Sequence, residues 1–204
     1  MKKAIVFLGG EIHNYRKLKN YDFTSYDIFC ADSGAMHTKK LNLIPSFILG
    51  DFDSIDTETL NFYKNKTEFI NYPIEKNFTD GELVINKIYD FYEEIIILGG
   101  LGGVHSHLFG NIFLLEKYPR IKFIGENEEI FKVNSFFEFS NLSNVKVSFI
   151  PLDSVNVISL SGFKYNLNNE LVNRGDTLTL GNYINEPLAK CTVSKGNFIC
   201  IVEK

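Results

Sequence analysis

The 204-residue chain has no apolar run long enough for a membrane helix, no excess of positive charge and only three cysteines. Each shortage narrows what the protein does. A spanning helix needs roughly 18 or more apolar residues, and the opening "MKKAIVFLGG" offers only Ala4 to Leu8. That stretch is also shorter than the roughly 7–15 residues of a secretory h-region. It is expected to be the first strand of a soluble, cytoplasmic protein with no membrane partner. Against 21 Lys and Arg stand 25 Asp and Glu, a net charge of -4. Without a broad basic field, nucleic acid held through its phosphates is not expected as a partner, although a local basic pocket remains open. Cys30, Cys191 and Cys200 form neither a C-x-x-C pattern nor an even framework, and each lies in an apolar run. They are expected as reduced core thiols. Repeats, low-complexity tracts and long linkers are also missing.

What is present is an ordinary globular composition, 45% hydrophobic and 23% charged, arranged in two textures. Up to about Glu126, short apolar runs ("AIVFL", "DIFCAD", "SFILG", "EFINY", "EIIILGG", "IKFIG") alternate with amphipathic segments near Gly34 to Leu41, Asp56 to Asn65, Asp80 to Phe91 and His107 to Lys117. That alternation predicts parallel strands covered by helices. Beyond it, "NVKVSFI", "VNVISL", "DTLTL", "AKCTV" and "NFICIVEK" follow one another between Gly, Asn and Asp turns. The expected architecture is an N-terminal parallel-sheet α/β domain over 1–126, followed by a smaller antiparallel β-sandwich over 127–204.

Ligands of open α/β sheets bind beyond the carboxyl ends of the strands. Those ends carry "ADSGA", "GDFDS", "EKNFTDGE" and "GGLGGVHSH". In "GDFDS", a spacing of two after a strand would put Asp51 and Asp53 on one side of the chain, where they repel unless a cation lies between them. Magnesium takes one or two carboxylates together with phosphate oxygens. The plainer account has Asp51 and Ser54 capping the next helix and Asp53 facing water. Thr79 and Glu82 form a T-x-x-E capping box; Asp80 is then a candidate third metal ligand or a dipole-stabilising residue. Lys76 could face a phosphate or water. "GGLGG" before a helix resembles a phosphate cradle, yet it is no P-loop and lacks the third glycine of G-x-G-x-x-G. A tight turn requiring positive φ explains it as well. His105 and His107 lack a zinc pattern, and His107 is expected to meet a phosphate or cap the helix. Acids, glycines and a lysine at successive strand ends together suggest phosphoryl or diphosphoryl transfer from a nucleotide.

The ordered series "ADSGA", "LGDFDSI", "KNFTDGEL" and "GGLGGVHSHLFGNI", followed by "GFKYNLNNELVNRG", "LGNYINEP" and "VSKGNFICIV", resembles the thiamine pyrophosphokinase family over nearly the whole chain. The resemblance implies a homodimer, with the active site near the subunit interface, that uses Mg-ATP to transfer a diphosphate to the hydroxyl of thiamine. It places catalytic and metal-binding roles on Asp51, Asp53 and Asp80. ATP contacts would fall to Ser33, Gly34, Lys76, Thr79, Gly100, Gly102, Gly103 and His107, and thiamine contacts to Asn77, Tyr183, Ile184 and Asn185, with Glu186 closing the last motif. The chain departs from the family at Val104, where an arginine is usual, at Ser106 and Asn77, where acids are usual, at Ile184 in place of a serine, and at Ser33 in place of a glycine.

Three other readings use the same residues. A haloacid-dehalogenase-type phosphatase also carries D-x-D after a strand, though after its first rather than its third. A relative with altered loops would bind nucleotide or thiamine without turnover. A β-domain interaction protein would have no acid cluster at one end of its sheet. His13 in "GGEIHNY" is expected as a surface-turn residue.

Overall fold

The computed structural model describes residues 2–18, 22–73, 75 and 77–204, and Lys76 lies outside them. The chain divides into two compact units, 1–126 and 127–204. Among the described residues, no helix is long and apolar enough to cross a membrane.

In the first unit, β1 (Lys3–Phe7), β2 (Asp27–Ala31), β3 (Phe47–Gly50), β4 (Glu68–Asn71), β5 (Glu94–Leu98) and β6 (Ile121–Ile124) pair in parallel in the order β6-β5-β1-β2-β3-β4. The central strands are almost uniformly apolar because helices cover both faces. Ile5, Phe7, Ile28, Cys30 and Ile48 join one core cluster with Ala35 of helix α2 (Gly34–Lys40) and Tyr63 of α3 (Thr57–Tyr63). Alternate residues such as Phe29 and Phe47 pack ring against ring, centroids 4.7 Å apart, and α4 (Asp80–Ile88) contacts β1, β2 and β3. A short helix, α1 (Tyr15–Leu18), precedes β2, and α5 (His105–Lys117) follows β5. The order places β1 between β2 and β5: the chain leaves β1 toward β2 and leaves β5 toward β6, so the connections diverge between these two strands. The crevice beyond the carboxyl ends of β1 and β5 is the topological switch point, where such sheets bind ligands.

The second unit holds two antiparallel sheets. One orders β12 (Asn182–Tyr183), β9 (Lys146–Pro151), β14 (Phe198–Glu203) and β7 (Glu128–Val133); the other orders β11 (Leu167–Asn173), β10 (Val155–Ser161), β13 (Leu188–Lys195) and β8 (Phe136–Ser140). Alternate residues of both sheets enter one core, where Phe139, Phe149 and Phe163 stand edge to face at 5.7–6.2 Å. That arrangement is the sandwich expected of alternating strands.

Three local expectations change. "DTLTL" forms a turn, because the Asp176 carboxylate accepts from Asn173 N at 2.7 Å and Leu180 N donates to Thr177 O; Leu178 and Leu180 stay exposed. The helix from Asp80 ends at Ile88 and tightens to a 3₁₀ turn over Tyr89–Phe91. The polar Leu167–Asn173 is a strand because it pairs at the edge of its sheet with β10.

Candidate active site

The switch point is built from two glycine loops packed backbone to backbone. Gly10 N donates to Gly99 O at 2.9 Å, and a Cβ at Gly10 would fall 2.4 Å from Gly99 O and 2.8 Å from Gly102 O. Only a glycine permits that approach. His37 holds the same loop from beneath: its Nε2–H donates to Gly10 O at 2.9 Å, and its Nδ1 accepts from Tyr15 Oη at 2.5 Å. A carbonyl only accepts, so Nε2 carries a proton; burial lowers the imidazole pKa, opposed by the bond to Gly10 O, and the Lys40 charge adds to the lowering.

Of the glycines expected to cradle phosphate, only Gly103, at φ +91°, has open space where a Cβ would stand. A Cβ at Gly100 would meet the Phe123 ring at 2.7 Å, and one at Gly102 the Glu11 carbonyl at 2.8 Å. Those two glycines therefore serve packing. Gly34 does likewise, since a Cβ there would strike Phe7 O. Asn111 of α5 donates to Gly100 O at 2.9 Å and steadies the loop.

Beside this cradle, carboxylate oxygens of Asp32, Asp51 and Asp53 all lie within 4.8 Å of one another. Strand alternation does not bring them together, since β3 ends at Gly50. Asp32 and Phe52 both adopt left-handed backbone, φ +43° and +63°, and turn the two strand ends toward one another. For a phenylalanine that conformation is strained; Phe52 is held by an edge-on contact with Phe69 at 5.5 Å. The capping account of these residues fails, because the N-cap of α3 is Asp56, which accepts from Thr59 N at 2.6 Å. Ser54 instead approaches Asp32 Oδ2 at 2.5 Å and Asp53 Oδ1 at 2.9 Å.

One hydroxyl proton serves two carboxylates there, while Asp32 Oδ1 is buried without a hydrogen-bond partner. Burial raises the Asp32 pKa, opposed by the Ser54 bond and by the backbone N–H of Ser33, and the charges of Asp80 and Asp51 add to the rise. A hard divalent cation suits this oxygen-only donor set, so the residues fit the metal that the resemblance implies.

A pocket of about 410 Å³ joins these parts, lined by Ser33, Thr79, Asp80, Gly102, Gly103 and His107 of the expected set and by Gly9, Gly10, Glu11, Asp32, Ser54 and Asn111 besides. Its size lies within the roughly 300–1,000 Å³ of small-molecule sites. Thr79 caps α4, accepting from Glu82 N at 3.2 Å; Glu82 does not complete an isolated box but takes Lys117 Nζ at 2.8 Å. His107 lies in the first turn of α5 and lines the pocket. Gly34 and Gly100 lie behind the lining, Asn77 is exposed in the bend before Thr79, and His13 is exposed with its N–H on Glu126. The substituted Ser106 borders an adjoining hollow of about 230 Å³ with Thr79 and His107.

The "GGEI" loop after β1 joins the site beyond the expected residues, and its paired glycines behind a strand are the same signal as "GGLGG". Asp32 inside "ADSGA" joins it too, and nothing local in the sequence shows that it faces Asp51.

In the second unit, Tyr183 is 41% exposed and Asn185 is exposed, whereas Ile184 is wholly buried. Ile184 belongs to the core and bridges Phe163, so its side chain is not available to a ligand, contrary to its place among the thiamine contacts. Asn182 organises the turn: its Oδ1 accepts from Tyr165 N and Tyr183 N, and its Nδ2 donates to Tyr165 O.

Together, a parallel sheet with paired glycine loops at its switch point and a carboxylate cluster beyond the neighbouring strands defines a doubly covered α/β protein whose pocket opens at the carboxyl ends of its strands. The family model described as "Thiamin pyrophosphokinase, catalytic domain" matches residues 19–124, and the "Thiamin pyrophosphokinase, vitamin B1 binding domain" matches 139–197. Thiamine pyrophosphokinase of Bacillus subtilis (strain 168) is 31% identical over 210 residues, covering 98% of each chain. A crystal structure of thiamine pyrophosphokinase from Bacillus subtilis superposes with a TM-score of 0.90 at 26% identity, over 100% of this chain and 99% of that one. Thiamin pyrophosphokinase from Geobacillus thermodenitrificans gives 0.86 at 25% identity, over 100% and 98%. The chain belongs to the thiamine pyrophosphokinase family.

Proposed function

We propose that the protein transfers the terminal diphosphate of Mg-ATP to the hydroxyl of thiamine, giving thiamine diphosphate and AMP. The observation that carries this reading is one pocket lined both by the glycine loops and by Asp32, whose carboxylate clusters with those of Asp51 and Asp53, in a chain of this family. Asp51, Asp53 and Asp80 are assigned to the magnesium, which when bound screens phosphate charge and stabilises the charge that spreads in the transition state. Ser33, Thr79, Gly103 and His107 are assigned to the ATP phosphates, since all four line the pocket. Backbone N–H groups opening α4 and α5 favour anions there. Phosphoryl chemistry of this kind depends on alignment more than on a covalent nucleophile, and the fixed loops supply that alignment.

Thiamine recognition is assigned to Asn77, Tyr183 and Asn185, the assembly to a homodimer, the location to the cytoplasm, and the two units to catalysis and to thiamine binding with dimerisation. The D-x-D phosphatase reading is disfavoured because the acids follow the third strand and the site carries a glycine cradle for a larger anion. Chromatography of ATP, magnesium and thiamine mixtures tests the proposal: AMP and thiamine diphosphate should rise together and vanish without thiamine. Inorganic phosphate formed without an acceptor would favour the phosphatase, and ATP binding without AMP a non-catalytic relative.

A further inference from the structure

We propose that Asp32 is a ligand of a divalent cation shared with Asp51 and Asp53, and that the protein holds this cation before nucleotide arrives. The inference deepens the diphosphotransfer reading and rests on it for the cation's role. Four observations converge. The three carboxylates approach within 4.8 Å, although like charges so placed repel strongly outside bulk water. Asp32 is only 7% exposed, and its Oδ1 lacks a partner, an arrangement that costs free energy unless something else binds there. Ser54 has one proton for two of the acids. The fold also keeps room for the group: a Cβ at Gly50 would lie 2.9 Å from Asp32 Cβ and 3.2 Å from Oδ1, and Asp32 N is anchored on Leu49 O at 2.8 Å.

All three ligands belong to the chain, and the buried one is fixed by its own backbone, anchored on Leu49 O, so no nucleotide is needed to assemble the set. Asp32 also lines the pocket, which leaves the bound cation open to phosphate oxygens on that side.

The test titrates Mn²⁺ into ATP-free protein, following free Mn²⁺ by electron paramagnetic resonance and stability by thermal melting. Wild type should bind one Mn²⁺ per chain, and Asp32→Asn should weaken binding at least tenfold. Asparagine preserves the shape and tolerates left-handed backbone, and by removing a desolvated charge it should raise the metal-free Tm while shrinking the Mn²⁺-induced gain. Equal Mn²⁺ affinity in the two proteins would overturn the assignment of Asp32. Formation of thiamine diphosphate by a wild-type protein that binds no Mn²⁺ without ATP would overturn preloading and leave the function standing. Absence of both would overturn the function as well. Should Asp32→Asn fail to fold, Ser54→Ala serves: with the shared proton gone, Mn²⁺ should raise Tm more than in wild type, and a smaller gain would contradict the proposal.

Discussion

Replacing Gly10 by alanine tests whether the two glycine loops set the site. The new Cβ would stand 2.4 Å from Gly99 O; ordinary contact begins near 3.4 Å, so one loop must retreat by about 1 Å. Both obstructing atoms are main-chain carbonyls, which no rotamer change moves aside. Overpacking of this kind costs about 1–3 kcal/mol, and loss of the 2.9 Å Gly10–Gly99 hydrogen bond adds about 1 kcal/mol. For a chain of this length each kcal/mol lowers Tm by roughly 2–4 °C, so the melt should drop by about 4–16 °C. The displaced cradle should also slow turnover by about a hundredfold, the order expected for a 1 Å misplacement. Gly175→Ala, outside the candidate site, is the control: nothing lies within 4 Å of its Cβ, so only the strain of φ +93° is felt, about 1–2 kcal/mol. Melting curves and AMP formation on both variants decide the matter. A Gly10→Ala protein with wild-type Tm and turnover would refute the reasoning.

Asp51→Ala should keep the fold but lose turnover by about a hundredfold or more, since several kcal/mol of charge stabilisation go with the cation; unchanged AMP formation would remove Asp51 from the mechanism. Burial lowers the His37 pKa from 6.5, so the unfolded chain takes up a proton that the folded one refuses. The stability at stake is present above the unfolded value and lost as pH falls through 6.5 toward the lower folded value. Tm of wild type should therefore fall between pH 7 and about pH 5 more steeply than that of His37→Gln, and parallel profiles would contradict this. Ile184→Ser restores the family's residue type in a wholly buried position, and should cost about 2–4 kcal/mol in a denaturant melt; a neutral effect would show that the site is wetter than its packing indicates.

The six strands of the α/β unit were legible because a sheet buried on both faces writes itself as unbroken apolar runs such as "EIIIL", bounded by glycine and acids. The sandwich was legible where strands alternate, as in β10 and β13, and illegible at "NLNNE", whose polar residues sit on a sheet edge, and at "DTLTL", where Asp176 closes a turn. At the site, the D-x-D pair and the second glycine loop were visible as local motifs. What unites them was not. The approach of Asp32 to Asp53 depends on two left-handed residues just beyond neighbouring strands, and the pairing of "GGEI" with "GGLGG" depends on β1 lying beside β5, contacts that span most of the α/β unit. The burial of Ile184 was hidden for the same reason: its partner Phe163 is set by tertiary pairing.

The most direct measurement of the central claim follows [γ-³²P]ATP incubated with the protein, magnesium and thiamine, with products separated and AMP quantified. Transfer of an intact diphosphate places the label in the terminal phosphate of thiamine diphosphate, one equivalent per AMP formed. Label released as inorganic phosphate with ADP remaining, or label retained in ATP despite bound nucleotide, would contradict the account.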